Sequence, residues 1–230
     1  MKMPYDITAP LIIVCGHFGS GKTNVSVALA LALKEAGKEV TLIDLDIINP
    51  YFRAADAEEL MKKNGIRCIN PMFANTNVDV PTIGPEVASV FVEAKNSGRI
   101  AIFDVGGDNG AAALGKYQKD FLEIGYNMLG VVSRYRPLTE TPELAAEGLR
   151  EIEYYSRLKF THIVNNSNIG SETTKEYVEE SFLYADEISR LTSLPVAFTS
   201  VVSAPFTDSL KERHPEQNIF TINDTTKKLF

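Results

Sequence analysis

The feature that most restricts how this chain can fold is a regular alternation of short apolar runs with longer helical patterns. The runs lie at 11–15, 40–43, 66–69, 100–105, 128–132, 162–164 and 195–198. They are nearly continuous in apolar residues, as LIIVC at 11–15 shows, so they suit strands covered on both faces rather than strands with one wet side. Helices are expected between them, at about 22–36, 54–63, 85–96, 110–124, 142–158 and 173–192. Strand-helix alternation of this kind predicts a three-layer, doubly wound α/β domain with a mainly parallel sheet and right-handed crossovers. A single domain spanning 1–230 is expected.

Local chemistry supports several of these boundaries. Thr141-Pro142-Glu143 supplies a capping hydroxyl, a proline suited to the first helical position and an acid facing the positive helix end. Val178, Phe182, Ala185, Ile188 and Leu191 recur at spacings of four and three and form a stripe that can lie on a sheet. Gly37 follows the first helix as a C-terminal cap. Residues 71–84, PMFANTNVDVPTIG, have no periodicity and read as a long crossover or a functional loop.

Composition narrows the function classes. Lys and Arg total 23 against 30 Asp and Glu, a net charge of -7, and no basic run exceeds a pair such as Lys62-Lys63. Nucleic-acid binding, which needs clustered cations to neutralise phosphates, is not expected. The two cysteines, Cys15 and Cys68, sit in apolar strand-like stretches and are expected to be buried thiols. Nothing resembles a signal peptide, an uncharged apolar run of roughly 18 residues or an amphipathic terminal anchor. A cytoplasmic location with no membrane anchor is the expectation.

Chemistry concentrates in Gly16-His17-Phe18-Gly19-Ser20-Gly21-Lys22-Thr23, which fits G-x-x-x-x-G-K-[ST] at every fixed position. Glycines allow the chain to turn tightly and aim successive N–H groups inward, forming an anion-binding nest at a helix start. Lys22 can reach the outer phosphates of a nucleotide, and the Thr23 hydroxyl can ligate Mg2+. Charge-assisted hydrogen bonds contribute roughly 1.5–3 kcal/mol each, enough in combination to outweigh the unfavourable net charge. The motif follows the strand LIIVC and opens an alanine- and leucine-rich helix, the context that its mechanism requires.

Two further strands end in carboxylates: VTLIDLD carries Asp44 and Asp46, and IAIFDVGGD carries Asp104 and Asp108. Acids at strand C-termini face the crevice where α/β sheets bind ligands. Asp104 is the natural metal-holding acid of the Walker-B type, with Asp44 a second candidate. Asp46 and Asp108 are candidates for orienting a water molecule. The glycines at 106 and 107 would let their loop respond to the terminal phosphate.

The order GHFGSGKT, VTLIDLD, IAIFDVGGD resembles the MinD/ParA-type ATPases, a class that also includes nitrogenase iron protein and dethiobiotin synthetase. The resemblance implies that Asp44 and Asp46 lie beside the terminal phosphate and the attacking water, and that Asp104 and Asp108 correspond to paired switch acids. It also implies that Asn165 or Asn166 in THIVNNSN recognises the base. Asn165-Asn166-Ser167-Asn168 contains no Asp to accept hydrogen bonds from guanine, so ATP is the expected nucleotide. The chain departs from the family at two positions: His17 replaces the signature Lys that crosses to a partner's nucleotide, and Phe18 replaces a glycine. With no cysteine beyond residue 68, the ligands of an iron-protein cluster are absent.

A Mg-ATP-dependent switch is therefore expected, hydrolysing ATP slowly with Lys22, Asp46 and Asp108 in the catalytic roles. It would signal to a protein partner or a second copy of the chain, with Tyr51 and Phe52 as candidate contacts. The alternative is a small-molecule kinase or ligase resembling dethiobiotin synthetase, with Arg134 and Arg136 clamping an anionic acceptor.

Overall fold

The computed structural model describes residues 7–45, 55–69, 85–202 and 205–222. Its strands are β1 (Leu11–Cys15), β2 (Val40–Asp44), β3 (Arg67–Ile69), β4 (Ile100–Asp104), β5 (Tyr126–Val132), β6 (His162–Asn165), β7 (Val196–Val202) and β8 (Ile219–Ile222). The helices are α1 (Lys22–Glu35), α2 (Ala55–Lys63), α3 (Pro85–Ser97), α4 (Asp108–Leu114), α5 (Gln118–Ile124), α6 (Pro142–Ser156), α7 (Lys175–Thr192) and α8 (Thr207–Arg213).

The strands form one sheet in the order β3-β2-β4-β1-β5-β6-β7-β8, and every described pairing is parallel. The expected doubly wound α/β architecture is what the chain adopts. In β1 the side chains divide by strict alternation. Leu11, Ile13 and Cys15 enter one core with residues of α3, α4, α5, α6 and α7. Ile12 and Val14 enter the other, with Val25, Leu29 and Leu33 of α1 and Met61 of α2. Burial on both faces explains why the strands read as apolar runs.

Helix ends follow their local chemistry. The Thr141 hydroxyl accepts from Leu144 N–H at 3.3 Å, and Pro142 occupies the first turn of α6. After α1 the capping residue is Ala36, and Gly37 lies one position beyond it at φ 80°. Gly37 N–H bonds Lys34 O at 2.9 Å and Lys38 N–H bonds Leu33 O at 3.0 Å, the paired closure of a left-handed C-terminal cap.

Three expectations need correction. The helix expected at 110–124 is divided into α4 and α5 by a 3-10 turn over Gly115–Tyr117. There Gly115 passes close to α6: a β-carbon on it would lie 3.5 Å from Ser156 O and 3.6 Å from Tyr155 O. β8 and α8 were not anticipated. β8 alternates half-buried Ile219 and Thr221 with buried Phe220 and Ile222, so it lacks the continuous run that marks the inner strands. β7 also extends four residues beyond its expected end, to Val202. The loop expected at 71–84 lies outside the described residues.

Candidate phosphate and metal site

β1 is where the sheet's winding reverses: β4 and β2 lie on one side, β5 and β6 on the other. The crevice at the C-terminal end of β1 is therefore the expected ligand position in such a sheet. Residues 16–21 turn the chain there from β1 into α1. Gly21 caps the helix at φ 84°, and its α carbon has little room around it: a β-carbon would fall 2.2 Å from Asn166 Nδ2. Gly16 is equally confined, with a β-carbon position 2.3 Å from Val131 O. α1 has neither a side-chain cap nor an acid in its first turn, so no carboxylate of its own competes for the positive helix end.

Lys22 is buried, and its ammonium donates to His17 O at 3.2 Å, across the loop. Ser20 Oγ is buried with no hydrogen-bond partner among the described residues. Asp104 ends β4 in register with Val14 of β1 and Asp44 of β2. Burial pushes its carboxyl up to about 6; the Thr23 hydroxyl hydrogen bond opposes this, the Asp44 carboxylate adds to it and the Lys22 ammonium opposes it. Asp104 Oδ1 has no hydrogen-bond partner among the described residues. A threonine hydroxyl and a buried carboxylate with an unused oxygen form the hard-oxygen donor set that magnesium takes, so these residues fit such an ion. Asp44, half-buried beside Asp104, adds a second carboxylate on the same edge.

The loop after β4 lies against the phosphate loop. A β-carbon on Gly107 would lie 3.6 Å from Gly16 O and 3.9 Å from His17 Cα. The Cys15 thiol donates to Gly106 O at 4.0 Å, and Cys15 and Cys68 are both thiols. Asp108 is the first residue of α4, directly after this loop; its side chain is outside the described residues. Asp46, Tyr51 and Phe52 are outside them as well.

The two candidate base-reading asparagines separate in the structure. Asn165 points inward and is fully buried. Its Nδ2 contacts Ser181 O, Ser181 Oγ and Thr199 Oγ1, and its Oδ1 accepts from Ser167 N and Oγ. Asn166 faces the phosphate loop: Nδ2 donates to Ser20 O at 2.6 Å, while Oδ1 accepts from Ser200 Oγ and Asn168 Nδ2. Asn165 thus joins β6 to α7 and β7, and Asn166, just past the end of β6, joins it to the loop.

At the outer side of the loop Phe18 is 66% exposed. His17 turns instead toward α6, where its Nε2 lies 1.9 Å from the position a β-carbon on Gly148 would take. Sequence reasoning missed this notch. Its signal is weak, a glycine after Ala145 and Ala146 on the buried face of α6.

A family model for ParA, described as NUBPL iron-transfer P-loop NTPase, matches residues 6–89, just over a third of the chain. No curated protein matches the sequence. Among solved structures, FtsY of Thermotoga maritima is similar at TM-score 0.55 and 20% identity, over 86% of this chain and 66% of that one. Chloroplast FtsY of Physcomitrella patens gives TM-score 0.58 at 18% identity, over 88% and 61%. The signal recognition particle 54 kDa protein of Aeropyrum pernix K1, in complex with GDP, gives 0.52 at 17%, over 84% and 41%. The chain thus spans roughly two thirds or less of the length of these structures. Strand order, glycine-loop placement and these likenesses agree that the chain has the P-loop NTPase fold.

Proposed function

We propose that the chain binds Mg-ATP at residues 16–23, hydrolyses it slowly and uses the nucleotide state as a switch toward a protein partner or a second copy of itself. One observation supports this above the others: Lys22, Thr23 and Asp104 meet at one end of β1, where Asp104 Oδ1 and Ser20 Oγ are buried without partners among the described residues. Burying such atoms unpaired costs about 1–3 kcal/mol each, a cost that a ligand making those bonds would offset.

In this reading Lys22 releases its own loop carbonyl and neutralises phosphate charge, and the first-turn amides of α1 donate to phosphate oxygens. Thr23 and Asp104 hold Mg2+, with Asp44 beside them. The ion supplies charge neutralisation on the outer phosphates. Asp46 or Asp108 orients the attacking water. The loop at Gly106 and Gly107 touches the phosphate loop and carries the change of state into α4. Iron transfer, which the family model's description names, finds little support: Cys15 and Cys68 lie on β1 and β3, with two strands between them, on the order of 14 Å apart at the usual strand spacing.

Titration calorimetry with Mg-ATP and Mg-GTP tests the proposal. Tight ATP binding that Lys22→Ala weakens at least about 100-fold, two or more charge-assisted bonds' worth, is expected. No affinity for either triphosphate overturns the reading. Preference for GTP, the nucleotide class of the GDP-bound structures with similar fold, would retain the switch and correct the base.

A further inference from the structure

Arg134 and Arg136 are two residues apart, just after β5, and look equivalent in the sequence. Their side chains have different fates. Arg134 is tied toward α7: its Nη1 donates to Glu180 O at 3.1 Å, and its backbone N–H donates to Ser167 Oγ at 3.0 Å. Arg136 lies over the phosphate loop. Its Cδ and Nε are 3.7 Å, and its Cζ 3.9 Å, from the position a β-carbon on Gly19 would occupy.

The segment that presents Arg136 is pinned. Arg136 N–H bonds Ser133 O at 3.3 Å, and Thr139 N–H bonds Arg136 O at 2.9 Å. The Thr139 hydroxyl donates to Ser133 O at 2.6 Å, and Tyr184 of α7 donates to Thr139 O. Pro137 restricts the residue before it to extended backbone, matching the observed φ −126° and ψ 132° at Arg136. The guanidinium itself has no ion pair or hydrogen bond among the described residues, although the chain carries 30 Asp and Glu. Ser133 Oγ, at the base of the same turn, is buried without a partner among the described residues.

We propose that Arg136 is a second cation of the phosphate site, supplied by the same chain, which donates to phosphate oxygens of the bound nucleotide from outside the loop. Its planar fork suits paired phosphate oxygens, and its fixed backbone lowers the ordering cost of making those bonds. Unlike Lys22 it sits on a segment clamped to α7, so phosphate contact through it couples the nucleotide to α7 as well as to α1. This proposal rests on nucleotide binding at residues 16–23 and deepens it.

The test compares Lys22→Ala, Arg134→Ala, Arg136→Ala and Arg136→Lys in the full chain, titrated with Mg-ATP, Mg-ADP and inorganic tripolyphosphate at two salt concentrations. Arg136→Ala is expected to lower affinity for all three ligands roughly tenfold and to flatten the salt dependence, with Arg136→Lys intermediate. Arg134→Ala is expected to bind within about twofold of the unaltered chain. If Lys22→Ala loses binding while Arg136→Ala matches the unaltered chain, the Arg136 proposal is overturned and the loop reading survives. If the unaltered chain binds none of the ligands, both are overturned. Unchanged melting temperatures in the arginine variants keep a folding defect from imitating the result.

Discussion

Around the phosphate loop, buried polar atoms are treated in two opposite ways. On the β4 and β5 side, Ser20 Oγ, Asp104 Oδ1 and Ser133 Oγ are buried and have no hydrogen-bond partner among the described residues. At the end of β6, by contrast, Asn165 and Asn166 use both the donor and the acceptor side of their amides within the chain. Folding alone favours the second arrangement, because an unmade buried hydrogen bond is expensive. The first arrangement lowers the stability of the ligand-free protein and leaves binding capacity in reserve. Under the proposed function, this difference would separate the part of this edge that holds the loop in place from the part that receives a ligand.

The sharpest way to break the comparison is at Asn165. Asn165→Ala removes the bonds that Ser181, Thr199 and Ser167 make to the buried amide, leaves a cavity there and is expected to cost about 3 kcal/mol, a drop in melting temperature of about 5–10 °C. Nucleotide affinity per folded molecule should stay within a few-fold; a loss of affinity without a loss of stability would return Asn165 to the binding site.

Asp104→Asn is expected to act with the opposite sign. The folded-state carboxyl, raised to about 6 from 3.8, binds more protons than the unfolded chain between those values. Stability of the unaltered protein therefore falls as pH rises through that window, and the whole penalty is present above it. An amide cannot ionise, so in chelator at pH 7.5 the variant should be more stable, by on the order of 1–3 kcal/mol. The advantage should vanish below about pH 4, where both side chains are neutral. Urea denaturation at several pH values measures it, and an Asn variant less stable at pH 7.5 would mean that Asp104 is a structural residue.

The smallest expected effect is at the His17 notch. Gly148→Ala would place a β-carbon 1.9 Å from His17 Nε2, so the ring must move and the loop with it. A several-fold loss of nucleotide affinity is expected, about 1 kcal/mol, and His17→Ala in the same chain should restore most of it. Additive effects in that double-mutant cycle would show that the contact does not position the loop.

Some of this edge was legible in the residues alone. A continuous apolar run, a glycine loop and an alanine-rich helix leave few alternatives for β1 and α1, and Asp44 and Asp104 end their strands side by side. Legibility fails where spacing is silent about direction. Asn165 and Asn166 are adjacent, but β6 ends between them, and one amide enters the core while the other turns to the loop. The half-buried alternation of β8 was too short to stand out, and the break at Gly115 depends on how closely α6 approaches.

Sequence by itself determined the layered α/β fold and the glycine loop between β1 and α1, because periodicity and motif spacing act over a few residues. Only the tertiary structure decided which buried polar atoms go unpaired, that His17 lodges against Gly148, and that Arg136 rather than Arg134 covers Gly19. Those outcomes depend on contacts between elements far apart in the chain, such as Gly19 with Arg136 and Arg134 with Glu180, and local patterning contains no term for them.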